Sequence, residues 1–220
     1  MAKKDLKGIF ITFEGSEGSG KSTQSKMLCS FLKSSGLDCI IVREPGSTKI
    51  SEKIRDILLD CENKKMSKVT EMLLYMAARA QIVEELILAA LKKGKVVICD
   101  RFLDSTIAYQ GYGLGIDIIL IKKIGSLVSL GLKPDLTFLL DLPLKQGLKN
   151  CHRVKNSKDR IEKRNLAYHL RVRNGYLKLA KQSSNRIKLV KVEKSVSKTQ
   201  ESIQHYISAL LKRKSYAGKK

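Results

Sequence analysis

The sequence predicts an α/β fold, a five-stranded parallel sheet flanked by helices, organised as a single domain over residues 1–220. Three observations predict it. Strand-like and helix-like patterns alternate along the chain, as they do where helices cross over between parallel strands. A length of 220 residues suits one domain, at roughly 100–200 residues each, and no repeat or linker divides it. A glycine-rich turn at residues 15–22 stands between the first strand and the first helix, the context a phosphate-binding loop requires.

Each element follows from local pattern. Residues 8–14 are a short β-branched and aromatic run and form the first strand. A helix covers about 21–34, with Gly36 as its stop signal. Residues 38–43 are the second strand, broken by Pro45-Gly46. Between Thr48 and Asp60, residues Ile50, Ile54, Ile57 and Leu58 recur at helical spacing. Ser67, with Glu71 one turn later, opens a long helix that runs to Lys93 and stops at Gly94. Residues 95–99 are a buried strand ending at Asp100. Asp117 caps a helix that Gly131 and Pro134 stop, and residues 136–140 form another core strand. Residues 144–164 are polar, basic and the least regular stretch, expected as a helix leading into a mobile lid over about 144–165. A helix over 166–182, a strand over 186–192 and a closing helix over 197–213 complete the chain, with 214–220 expected to fray.

Composition excludes several classes. A hydrophobic fraction of 43% can build a core, which argues against wholesale disorder. No apolar run approaches the roughly 20 residues of a membrane helix. Met1-Ala2-Lys3-Lys4-Asp5 lacks the cleavage pattern of a secretory signal. The five cysteines (29, 39, 61, 99 and 151) form no CxxC pair, so they read as reduced thiols rather than a disulfide frame or zinc site. Together these features lead to the expectation of a cytoplasmic protein. The net charge of +22 is lopsided, since residues 111–220 carry 25 basic and 7 acidic side chains, a net +18. That suits anionic partners, but only Tyr168, Tyr176 and Tyr206 lie between Gln146 and Ala209, too few aromatics for a base-stacking platform. Nucleic-acid binding is therefore expected to be nonspecific at most.

Residues 15–22 fit GxxxxGK[ST] completely. Glycines let the backbone curl so that successive N–H groups face a phosphate, and the following helix N-terminus adds a favourable dipole. Gly15, Ser16, Glu17, Gly18, Ser19, Gly20, Lys21, Ser22 and Thr23 are the candidate ATP-binding set. Lys21 can bridge the terminal phosphates, and the Ser22 hydroxyl can bind Mg²⁺. Asp100, at a strand end, is the second candidate metal residue. No NKxD motif marks a guanine-specific switch, and Asp100 is followed by Arg101 rather than a second acid. An Asp-Arg pair suits a kinase whose acceptor is itself a phosphate ester, the carboxylate serving the metal and the arginine gripping the acceptor.

Residues 13–24 (FEGSEGSGKSTQ), 43–46 (REPG), 75–79 (YMAAR), 100–111 (DRFLDSTIAYQG), 159–162 (DRIE) and 173–176 (RNGY) resemble the thymidylate kinase family in its bacterial form, in order and over nearly the whole chain. The resemblance implies a P-loop kinase core that transfers the ATP γ-phosphoryl group to dTMP with Mg²⁺, and a homodimer. It implies that Glu17 accepts from the dTMP 3′-hydroxyl, and that Arg43, Arg55 and Arg101 surround the acceptor phosphate with Glu44 nearby. Tyr75, where the family usually has phenylalanine, would stack on the base, and Arg79 would donate to carbonyl O4. Ser105, Thr106, Tyr109 and Gln110 would form the pocket wall, with Gln110 reading the base and Tyr109 crowding the sugar. Eukaryotic relatives carry an arginine in the phosphate loop where Gly18 stands here; bacterial forms supply the catalytic cation from the lid. Arg153 is the favoured residue for that role beside Lys21 and Arg101, with Lys155 and Arg160 as rivals. Lys163-Arg164-Asn165 departs from the acidic and aromatic continuation common in the family lid. A kinase of the same fold acting on another nucleoside monophosphate or a deoxynucleoside, and a basic nucleic-acid-binding protein with a vestigial nucleotide fold, are the competing readings. Leakage to dUMP is expected of the thymine-reading pocket itself, since one methyl is worth only about 1–3 kcal/mol.

Overall fold

A computed structural model describes residues 6–154 and 159–214, with the side chains of 151–154 left aside. Its strands β1 (Ile9–Glu14), β2 (Cys39–Arg43), β3 (Val96–Asp100), β4 (Leu136–Asp141) and β5 (Ile187–Lys191) form one sheet in the order β2-β3-β1-β4-β5, with every pairing parallel. Helices cover both faces. Helices α1 (Lys21–Ser34) and α9 (Val196–Arg213) share one face, where Leu28, Leu32, Ile203 and Ile207 pack on Ile9, Ile11 and Phe13 of β1. Phe10, between them in sequence, points to the other face and packs with Ile82, Leu91 and Val97. A strand buried on both sides explains why the first run is uniformly apolar rather than alternating. Each buried Ile, Leu or Phe contributes about 1.5–3 kcal/mol against about 1 kcal/mol for a helix cap, so the sheet faces fix the frame and the caps trim it.

The remaining helices are α2 (Lys49–Leu59), α3 (Lys68–Ile82), α4 (Leu88–Lys92), α5 (Leu103–Thr106), α6 (Ile118–Val128), α7 (Leu144–Val154) and α8 (Leu166–Gln182). Thr48, Ser67, Asp117, Asn165 and Ser195 cap α2, α3, α6, α8 and α9 by accepting from backbone N–H groups of the first turn. Two departures from the sequence reading matter. The long helix expected over 67–93 is interrupted by a π-helical turn at Val83–Ile87. Residues 103–113, for which sequence pattern alone assigned no element, form α5 and a second π-helical turn, Ile107–Gly113. Three glycines and two tyrosines make Tyr109–Gly115 a poor helix on propensity; packing of the turn against α8 overrides that. No helix among the described residues is long and apolar enough to cross a membrane.

In a parallel sheet the loops that follow the carboxyl ends of neighbouring strands open on one edge, which is where ligands bind. Glu14, Arg43, Asp100 and Asp141 end β1, β2, β3 and β4 and therefore share that edge.

Candidate active site

The loop after β1 turns at glycines that nothing larger could replace. Gly15 sits at φ +136°, where a Cβ would lie 2.4 Å from the Leu140 carbonyl. Gly18 sits at φ +67°, where a Cβ would lie 2.0 Å from the Gly147 carbonyl of α7. The lid helix thus rests directly on the loop, and Asn150 Nδ2 donates to the Gly18 carbonyl at 3.0 Å. An arginine at position 18 does not fit this arrangement. Gly20 precedes α1 with no side-chain cap, leaving the first-turn N–H groups free for an anion. Lys21 is buried, and its ammonium donates to the carbonyls of Gly15 (3.0 Å) and Ser16 (2.9 Å). Burial above all, and then the Arg101 charge, lowers its pKa to about 8. Ser22 Oγ donates to Asp100 Oδ2 at 2.6 Å, so the two residues singled out for the metal stand side by side. Thr23, one position on, is exposed.

Arg101 follows Asp100 with a positive φ of 74°, a strained backbone for a side chain of this size. The kink turns its guanidinium inward. Nη1 donates to the Gly15 carbonyl (3.0 Å), Ser105 Oγ (3.2 Å) and Tyr176 Oη (3.1 Å), while Nη2 lies 3.6 Å from Glu17 Oε1. The guanidinium carbon stands 5.0 Å from the centroid of the Tyr109 ring, a cation–π contact. Tyr109 Oη in turn donates to Glu17 Oε1. Burial would raise Glu17, but Arg101 and the Tyr109 hydrogen bond outweigh it and hold the carboxyl below its ordinary value. Glu17 Oε2 is buried with no hydrogen-bond partner among the described residues, an open acceptor.

Beside this cluster lies a pocket lined by Glu17, Glu44, Arg55, Tyr75, Arg79, Arg101, Ser105, Thr106, Tyr109 and Gln110, among others. Nearly the whole acceptor-site set from the sequence is therefore gathered in one cavity. Tyr75 and Arg79 come from α3, four residues apart on one face. Arg79 is 2% exposed and its Nε and Nη2 both bind Glu44 Oε2 at 2.8 and 2.7 Å; Nη2 also donates to Thr106 Oγ1. Breaking so deeply buried an ion pair costs about 3–5 kcal/mol, so Glu44 is as much the support of Arg79 as a group near phosphate. Arg55 donates to the Pro45 carbonyl at 2.9 Å. Arg43 stands apart: it is not among the lining residues, and Nη2 binds both carboxylate oxygens of Glu52 at 2.8 Å.

The lid residues divide. Arg153 lies in α7 with its side chain outside the description, and Lys155 lies outside the described residues. Arg160 is held inward: Nη1 binds Glu71 at 2.7 Å and Nε donates to the Leu58 carbonyl at 2.9 Å. As placed, it braces α2 and α3 rather than reaching towards the phosphate loop.

Sequence reasoning gave no role to Glu14, Tyr176 or His169. Glu14 accepts from the Phe102 N–H (2.8 Å), Ser105 Oγ (2.6 Å) and Tyr176 Oη (3.0 Å), tying the end of β1 to the start of α5. The one signal was its place before Gly15, at the last position of a buried strand. Burial, and then the Asp104 charge, raises its pKa from 4.5 to about 7. A pKa raised by folding favours the folded state below about 4.5 and withdraws that stabilisation as pH rises through about 7. Wild type is therefore expected to lose stability relative to Glu14→Gln between pH 5 and 8; thermal melts of both proteins across that range check the slope. His169 is buried 3.7 Å from Glu17 Oε2, with neither ring nitrogen hydrogen-bonded among the described residues.

Comparison with known proteins agrees with this geometry. The family model for thymidylate kinase matches residues 13–203. The chain is 46% identical over 209 residues to a thymidylate kinase of Geotalea uraniireducens, covering 93% of this chain and 98% of the relative. It is 47% identical over 208 residues to one of Halothermothrix orenii, covering 94% and 99%. The crystal structure of thymidylate kinase from Ehrlichia chaffeensis superposes with a TM-score of 0.74 at 32% identity, covering 91% of this chain and 98% of that one.

Proposed function

The chain belongs to the thymidylate kinase family and phosphorylates dTMP to dTDP with ATP as donor in dTTP synthesis, and we propose that it does so by direct in-line transfer assisted by Mg²⁺. The observation that carries the mechanism is the position of Arg101, whose one guanidinium nitrogen touches both the phosphate loop at Gly15 and the acceptor-pocket wall at Ser105. A cation spanning donor and acceptor sites neutralises charge that spreads over the transferring phosphoryl group, and no side-chain nucleophile is required. Glu17 Oε2 takes the sugar hydroxyl, Tyr75 covers the base, and Arg55 and Arg101 face the acceptor phosphate. The Ser22 hydroxyl and Asp100 carboxylate fit Mg²⁺, being two oxygen donors 2.6 Å apart beside the loop. When bound, the ion screens the β- and γ-phosphate oxygens of ATP. Closure of the lid helix on Gly18 excludes water that would otherwise hydrolyse ATP.

Transfer from ATP carrying a chiral γ-phosphoryl group should invert configuration at phosphorus; retention would establish a covalent intermediate and overturn the in-line scheme. The lid cation is assigned to Arg153. Arg153→Ala should lower kcat by about 10²-fold or more with little change in KM for either nucleotide; an unchanged kcat passes the role to Lys155. Assembly as a homodimer rests on exposed Val69 and Leu73 of α3 beside Ile119, Leu120 and Leu127 of the adjoining α6. The protein acts in the cytoplasm, a reading supported by the absence of a disulfide among its four described cysteines. Binding to nucleic acid, if any, is nonspecific and salt-dependent.

A further inference from the structure

Behind the base-facing wall lies a carboxylate that the sequence pattern reads only as a helix-start residue. Glu71, in the first turn of α3, is fully buried. The cap of that helix is Ser67 Oγ, which accepts from the Thr70 N–H, so Glu71 is released from capping. Its side chain instead collects three donors: Gln110 Nε2 at 2.9 Å, Arg160 Nη1 at 2.7 Å and Arg164 Nη2. Arg164 is braced by the Tyr168 ring, 4.5 Å from guanidinium carbon to centroid.

The chemistry of this contact fixes an orientation. A carboxylate flanked by two arginines only accepts, so the amide group of Gln110 that faces it must be the NH₂ end. The other end, Oε1, makes no hydrogen bond among the described residues, and Gln110 is 2% exposed on the wall of the pocket. On the same wall Arg79 has Nε and Nη2 engaged by Glu44 and Thr106, while Nη1 contacts only the Met76 sulfur at 3.3 Å, a weak acceptor. Of these two residues Gln110 therefore presents a fixed acceptor and Arg79 an available donor, apart from the open carboxylate oxygens Glu17 Oε2 and Glu44 Oε1 of the same lining.

We propose that Glu71 is a specificity-determining positioning residue. By fixing the Gln110 amide it makes the pocket accept a pyrimidine with a ring N–H beside a carbonyl, and reject one with a ring nitrogen lone pair beside an amino group. Thymine and uracil carry the first pattern and cytosine the second. Without an obligatory acceptor behind it, the Gln110 amide turns over freely, and its NH₂ end then matches the cytosine lone pair. The inference rests on the reading that this pocket holds the acceptor's base.

The test measures kcat/KM for dTMP, dUMP and dCMP in wild type, Glu71→Gln and Glu71→Asp. Gln at 71 can donate or accept and frees the Gln110 amide. Asp keeps the charge opposite Arg160 and Arg164 but draws the carboxylate back from Gln110, and it carries the test where Glu71→Gln does not fold. The expected result is a dTMP-over-dCMP ratio lowered by about tenfold or more in both variants, with the dTMP-over-dUMP ratio held within about twofold, since the methyl group is not read here. An equal fall for all three acceptors, leaving both ratios at their wild-type values, would show Glu71 to be a structural brace only and overturn the proposal. A wild-type enzyme with no preference for dTMP over dCMP would instead overturn the placement of the base in this pocket.

Discussion

Lys21→Ala is expected to lower kcat by on the order of 10³-fold or more without lowering the thermal midpoint of the protein. The ammonium lies within 3.0 Å of two loop carbonyls and 3.4 Å from Ser19 Oγ, inside the concavity that receives phosphate. Lys21 is 7% exposed, so its charge acts on a phosphoryl group at reduced dielectric, where an ionic contact is worth several times its value in solvent. The stability argument runs the other way. Burial, and then the Arg101 charge, outweigh the attraction of Asp100, Glu17 and Glu14 and lower the Lys21 pKa to about 8, so on balance the fold disfavours this cation. Its removal relieves a penalty while leaving the sheet untouched. Initial rates of ADP release and a thermal melt check both halves; retained turnover would remove Lys21 from the mechanism.

The second large effect is at Arg101. Arg101→Lys keeps the charge, yet kcat/KM for dTMP is expected to fall by about 10²–10³-fold with little change in KM for ATP. One planar fork serves the Gly15 carbonyl, Ser105 and Tyr176 while approaching Glu17 and lying over Tyr109. An ammonium is a point charge on a flexible stem and cannot occupy all five contacts. Losing the fork loosens α5, on which Ser105 and Thr106 stand, as well as the acceptor phosphate. Steady-state kinetics with each substrate varied in turn separates the cases. A loss confined to ATP affinity would place Arg101 on the donor side alone.

What the sequence made legible and what it hid divide along a physical line. The phosphate loop and the strand-end Asp100 were readable because each is a short-range pattern, a turn and a strand terminus. The Tyr75–Arg79 pair was singled out by the family resemblance, its spacing showing only that the two share a helix face. Their convergence follows from the parallel sheet, which was itself readable from alternation. Glu71 was misread because an acid one turn after Ser67 is the local signature of a helix start, and nothing local shows that Gln110, Arg160 and Arg164 converge on it from 39, 89 and 93 residues away. Arg160 was counted among the lid cations for the same reason. Basic residues in an irregular segment look solvated until the fold draws one inward. The helix over 103–113 was obscured by its glycines and tyrosines, whose weak propensity is overcome by α8. Arg43 carries its part of the resemblance in REPG, yet the side chain is committed to Glu52 on the surface.

The measurement that bears most directly on the whole account is acceptor-dependent ADP release by the wild-type enzyme with ATP and Mg²⁺, comparing dTMP, dUMP, dCMP, dGMP and AMP. The account expects fast turnover with dTMP, weaker turnover with dUMP, since a single methyl is worth only about 1–3 kcal/mol, and negligible turnover with the others. A preference for dCMP or a purine monophosphate would contradict it, leaving the phosphate loop its chemistry but stripping Tyr75, Arg79 and Gln110 of their assigned roles.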